Sequence, residues 1–88
     1  MEYEWDEGKS RRNVRERGIG FELAATVFHD GDAVDGGPRI VEAEERYWLI
    51  GRDPGGNLLF VVYTWRQYGN ETRCRIISAR KASRKDRS

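Results

Sequence analysis

The chain has one cysteine, one histidine, one methionine and two prolines in 88 residues. A lone thiol, Cys74, excludes an intramolecular disulfide. One Cys with one His also falls short of any zinc ligand set. Long apolar runs are missing as well. The longest, Leu58 to Tyr63, is far below the roughly 20 residues that cross a bilayer. Met1-Glu2-Tyr3-Glu4-Trp5-Asp6 lacks the basic and apolar regions of a secretory signal. A cytoplasmic protein with no metal, no cofactor and no membrane partner is therefore expected. There is no excess of charge of one sign either: 16 basic residues meet 15 acidic ones, for a net charge of +1. That balance at first argues against a nucleic-acid partner.

What is present is a chain 35% charged and 38% apolar. This suits one small domain over residues 1–88 with a thin core, since so short a chain buries only about 60% of its unfolded surface. The balanced charge also hides an asymmetry. Residues 1–50 carry seven Lys/Arg against twelve Asp/Glu, whereas residues 51–88 carry nine against three. An uneven split of this kind points to an anionic partner, with a salt-bridged surface and a solvated basic tail as the alternative.

Glu2-Tyr3-Glu4-Trp5 alternates polar and apolar, as a short strand does. Asp6 is a helix N-cap and Gly18 a C′ residue, which predicts a helix from Glu7 to Arg17. Val14 is its only large apolar residue, so it should lie lightly on the fold and turn a basic face outward. The next helix differs: Phe21, Ala24, Ala25 and Phe28, widened by Val27, form an apolar stripe that must face a core. His29 to Arg39 reads as a loop rich in Asp, Gly and Pro, with a short strand possible at Ala33-Val34 or Ile40-Val41. It lacks the carboxylate spacing of a calcium loop.

Three stronger strands follow. Glu45 to Gly51 alternates, Asp53 to Asn57 is turn chemistry, and Leu58 to Tyr63 is apolar on both faces, as in a central strand. After a turn around Gly69-Asn70, Thr72 to Ala79 is the third strand. Strict alternation puts Arg73, Arg75, Ile77 and Ala79 on one face and Cys74, Ile76, Ser78 and Arg80 on the other. The basic tail is expected to be helical near the sheet and frayed beyond. The fold class is α+β: two N-terminal helices packed on an antiparallel sheet of about four strands, with a short C-terminal helix or tail.

No nucleophile elbow, phosphate-binding glycine loop or HExxH motif occurs. His29 is placed to be a helix-end residue rather than a general base, and Cys74 an inert buried thiol. What remains is arginine. Arg46, Arg52, Arg66, Arg73, Arg75 and Arg80 lie on or beside three adjacent strands, interleaved with Tyr47, Trp48, Tyr63, Trp65 and Tyr68. Guanidinium groups beside aromatic rings suit single-stranded RNA, whose phosphates need cations and whose bases stack. The same pattern fits aromatics filling a thin core while arginines snorkel over it.

Several stretches resemble one family. They are Glu4-Trp5-Asp6 with Lys9, Asn13, Gly18-Ile19 with Phe21-Glu22 and Ala24, Val27-Phe28, Glu45-Arg46-Tyr47, Ile50-Gly51-Arg52, Leu58-Leu59 with Val61 to Thr64, and Arg75 through Ala82. In this order they resemble the BrnT toxins along nearly the whole chain. The resemblance implies a RelE-like fold and a ribonuclease toxin of a type II toxin–antitoxin pair that arrests translation. Its partner would be a BrnA-type ribbon-helix-helix antitoxin, in a hetero-oligomer that reaches operator DNA only through the antitoxin. The expected reaction is metal-independent attack of a ribose 2′-OH on the adjacent phosphate. Residue type and strand geometry nominate Arg52, Arg75 and Arg80, with Lys9, to stabilise the phosphate. Tyr63 or Lys9 is the candidate for acid–base work. Arg46, Trp48 and Arg73 would hold the RNA. The alternative is a non-catalytic homologue that binds the antitoxin as a co-repressor, or a plain RNA-binding module.

Overall fold

The alternation of Glu2 and Glu4 with Tyr3 forms strand β1 (Glu2–Glu4). Asp6, in an extended conformation, then caps helix α1 (Glu7–Arg17) by accepting the Lys9 backbone N–H at 3.0 Å. Gly18 ends it in the left-handed region at φ 73°, donating its N–H to the Val14 carbonyl. Both ends lie where the capping residues predict. Helix α2 (Phe21–Thr26) runs into a 3-10 turn, Val27–His29. Four strands complete the sheet: β2 (Val34–Val41), β3 (Glu44–Arg52), β4 (Leu58–Tyr68) and β5 (Glu71–Lys81). A short helix, α3 (Arg84–Arg87), follows. The computed structural model describes residues 1–87.

The sheet has five strands in the order β1-β5-β4-β3-β2, not about four, and it is mixed rather than antiparallel, because β1 runs parallel to β5. The additional strand is β2, which runs through most of the segment expected to be a loop and joins the two places, Val34 and Ile40-Val41, where a short strand was expected at most. An edge strand needs backbone pairing on one side only, so Asp35, Gly36, Gly37 and Pro38 are tolerated there, with an irregularity between Gly36 and Arg39. Apolar β4 is the central strand, as its two-faced hydrophobicity predicts.

The core lies on one face of the sheet. Ile19, Phe21, Ala24 and Val27 pack against Leu49, Leu59, Val61, Tyr63, Cys74, Ile76 and Ala79. Close approach is possible at Gly51, where a Cβ would come within 2.8 Å of Val27 Cγ1 and Ala33 Cβ. Only α2 packs in this apolar way. Helix α1 is held by polar groups instead, since Val14 is 50% exposed and the buried residues are Ser10 and Asn13. Asn13 Nδ2 donates to the Ile19 carbonyl at 2.7 Å and to the Ala79 carbonyl at 2.9 Å. The Ser10 hydroxyl accepts the Phe21 N–H at 2.9 Å. The Ala79 carbonyl lies on β5 beyond Arg73 to Arg75, the residues that β1 pairs. Helix α1 thus lies lightly on the fold, as its single large apolar residue predicts, and polar side chains anchor it where an apolar stripe anchors α2.

Strand β5 also departs from strict alternation. Val62 pairs with Ser78, but Tyr63 pairs with Ile76, leaving Ile77 as an extra residue. Past this bulge the faces exchange. Ala79 joins Cys74 and Ile76 in the core, while Ser78 and Arg80 join Arg73 and Arg75 on the opposite, open face. The sequence expectation placed these two pairs on different faces.

Candidate RNA-binding cleft

The open face is arranged in cross-strand rows. Arg66 pairs with Arg73, Thr64 with Arg75, Val62 with Trp48 and Ser78, and Phe60 with Ile50 and Arg80. At the β1 end, Lys9 of α1 meets Arg46, Arg66 and Arg75 around a cleft of about 260 Å³, with Glu42, Glu44 and Ile77 completing its wall. The bulged residue is thus part of the cleft.

Most of these cations are held by carboxylates. Arg75 Nη1 donates to Glu4 Oε2 at 2.7 Å, and the Tyr68 hydroxyl donates to the same oxygen at 3.0 Å. Burial pushes the Glu4 carboxyl up, but these two hydrogen bonds and the Arg75 and Arg73 charges outweigh it and hold it below the usual range. The other oxygen, Glu4 Oε1, is buried without a hydrogen-bond partner. Glu44 bridges Arg66 at 2.8 Å and Arg46 at 3.3 Å. Lys9 makes no ion pair among the described residues.

The residues nominated from sequence separate into three groups. Lys9, Arg46 and Arg75 meet in the cleft. Trp48 lies beside it in a groove that Arg46 also lines. Arg73 shares their face but is engaged by Glu71 at 3.2 Å and Glu2 at 3.4 Å, and its guanidinium covers the Tyr68 ring at 4.7 Å. The others stand apart. Arg52 is six residues from Arg46 along β3, or about 20 Å, and it donates to the Gly56 carbonyl of its own turn at 2.7 Å. Arg80 is gripped by both oxygens of Asp86 at 2.8 and 3.0 Å and stacks over Phe60 at 4.2 Å. Its hydrogen bonds, with one from the Ser83 N–H, hold the Asp86 carboxyl far below the ordinary range.

Tyr63 is on the other face, 5% exposed, stacked on Tyr47 and edge-on to Phe28. Burial pushes its hydroxyl up to about 12. Burial likewise raises the Cys74 thiol to about 12, the value of an inert core thiol.

The sequence reading missed Glu4, Glu42 and Glu44 as wall and anchor residues, and did not choose Arg66. Arg66 was named among the strand arginines but given no role, because β4 was expected to end at Tyr63, whereas it continues to Tyr68. Glu4 was legible as the polar half of an alternating strand and as part of the Glu4-Trp5-Asp6 motif, but not as the anchor of Arg75.

A family model described as the ribonuclease toxin BrnT of type II toxin–antitoxin systems matches residues 5–86. The chain belongs to the BrnT family. Its fold is similar to the 1.1 Å crystal structure of the Brucella abortus ribonuclease toxin BrnT, with a TM-score of 0.66 and 26% identity. That match covers 96% of this chain and 99% of the other. No curated protein matches it. The cation cleft is therefore a feature of a BrnT-family chain, with Lys9 of α1 and Arg75 and Ile77 of the bulged β5 among its lining residues. Among the described residues of this BrnT chain, no helix is long and apolar enough to cross a membrane. Nor, among the described residues, do His, Cys, Asp or Glu side chains gather in threes able to hold a metal ion.

Proposed function

We propose that this chain is an endoribonuclease toxin that cuts RNA without a metal, inhibits translation, and is neutralised by a BrnA-type ribbon-helix-helix antitoxin. The observation that supports this reading is the convergence of Lys9, Arg46, Arg66 and Arg75 on one cleft. The 2′-oxygen attacks the adjacent phosphorus, the bond to O5′ breaks, and a 2′,3′-cyclic phosphate and a 5′-hydroxyl result. The 2′-OH proton leaves to a base, and another proton reaches O5′. Glu42 and Glu44 are the cleft's carboxylates and Lys9 its ammonium, so a base and an acid both border the phosphate position. Arg75, oriented by Glu4, and Arg46 face the charge that builds on the phosphate oxygens. Of the sequence-nominated set, Lys9, Arg46 and Arg75 stay in this proposal.

A second reading rests on a specific observation. Arg46, Arg66, Arg73, Arg75 and Arg80 are each paired with a carboxylate, as suits a surface that needs no anion. On that reading the chain is a non-catalytic partner of the antitoxin and acts as a co-repressor. Induced expression separates the two. The toxin arrests growth, is rescued by the antitoxin, and loses both arrest and RNA cleavage as Arg75→Ala. A wild-type chain that neither arrests growth nor cuts RNA supports the co-repressor.

A further inference from the structure

Beside the cleft, the open face carries a groove of about 370 Å³ walled by Ile40, Trp48, Phe60 and Val62, with Ser78 and Arg46 at its margins. Arg46 lines both concavities. The Trp48–Val62–Ser78 row lies one pleat repeat, about 6.8 Å, from the Thr64–Arg75 row. The groove is preformed. The Trp48 ring lies over Gly36, where a Cβ would come within 2.5 Å of Trp48 Cζ2, so only glycine leaves room for the indole there. Phe60 is fixed from the other side by the Arg80 guanidinium, which Asp86 holds. The Ser78 hydroxyl makes no hydrogen bond among the described residues. Held aromatic walls, cations at the rim and one uncommitted hydroxyl are the parts of a site that stacks a base and reads its edge.

We propose that this groove is a nucleobase subsite. The base next to the phosphate in the cleft stacks on Trp48, and the Ser78 hydroxyl discriminates among bases at their edges. The proposal rests on the ribonuclease reading for its substrate, and on continuity with the cleft through Arg46 for its place. It makes Trp48 and Ser78 specificity determinants rather than catalytic residues.

The test uses short single-stranded 2′-deoxy oligonucleotides, which lack the attacking hydroxyl, with an abasic site placed at each position in turn. Stacking of about 1–3 kcal/mol per base corresponds to a loss of about 5- to 150-fold in affinity at one position. Trp48→Ala should erase that difference and Trp48→Phe retain most of it. Ser78→Ala, a change at the groove margin, should flatten the preference among the four bases whether or not Trp48→Ala folds. Abasic oligonucleotides that all bind like the complete one overturn the proposal. So does a folded Trp48→Ala that binds every oligonucleotide as the wild type does and loses antitoxin binding instead, since the groove would then be a protein site. Cleavage of all-ribose RNA is scored separately. Base-dependent binding without cutting refutes the ribonuclease reading and leaves the subsite standing. Cutting without base dependence does the reverse.

Discussion

The two faces of the sheet are held together by different physics. On the helix-covered face, Phe21, Val27, Leu59, Val61 and Ile76 are fully or almost fully buried, and burial of apolar area does the stabilising. On the open face, long cationic side chains lie over aromatic and aliphatic ones, and each of five arginines is matched by a carboxylate. The first face tolerates little change in volume, because close packing relaxes only partly around a void. The second is a balance of charges in which removing one partner redistributes the others. Strand β5 belongs to both, and the bulge at Ile77 decides which of its residues serve which face.

The largest effect should come from the covered face. Phe21→Ala should cost about 3–5 kcal/mol in urea unfolding; a cost below about 1 kcal/mol would mean that α2 is not the packed helix. On the open face, Arg75→Ala should lower RNA cleavage by about 10²–10³-fold. Arg75→Lys should restore only part of that, because an ammonium cannot be held by Glu4 and face a phosphate in one plane. Between the faces, Asn13→Ala strands the Ile19 and Ala79 carbonyls and should cost about 1–3 kcal/mol. Val14→Ala, half exposed on the same helix, should cost far less, and the reverse order would show that α1 is apolar-anchored after all. The smallest effect is at the C-terminus. The Asp86 carboxyl is depressed by Arg80, so its contribution is complete above the ordinary carboxylate pKa and is lost progressively as pH falls from there toward the lower folded value. Hydrogen exchange at Asp86 and its neighbours should therefore be pH-independent from 7 to about 4 after correction for intrinsic rates. Protection should fall at more acid pH, and Asp86→Asn should weaken it at every pH.

Much of this is legible in the sequence. Asp6 and Gly18 bracket α1 because capping is local chemistry between residues three or four apart. Phe21, Ala24 and Val27 announce a packed helix, and Leu58 to Tyr63 a central strand. The misreadings share a cause. Strand β2 shows apolar residues only at its ends, Val34 and Ile40-Val41, and its middle gains its structure from backbone pairing with β3. The Ile77 bulge has no local signal, since an extra residue is defined only against the partner strand. Arg73, Arg75 and Arg80 were identified as residue types, but which of them could meet was not. Asn13 and Glu4 act on groups 66 and 71 residues away in the chain, a distance over which no periodicity speaks.

The sequence by itself determined the chemistry on offer: no disulfide, no zinc set, one apolar helix, a run of strands, and an arginine-rich second half. Family membership was also carried by short motifs in their order. Only the tertiary structure decided that Lys9, Arg46, Arg66 and Arg75 share a cleft, that Arg52 is excluded from it, and that Tyr63 faces the core. The reason is geometric. Strand alternation fixes a side chain's face only while pairing is regular, and one bulged residue in β5 exchanges every face beyond it. The net charge of +1 likewise concealed a site whose cations are balanced locally by Glu4 and Glu44, and only their three-dimensional pairing makes that visible.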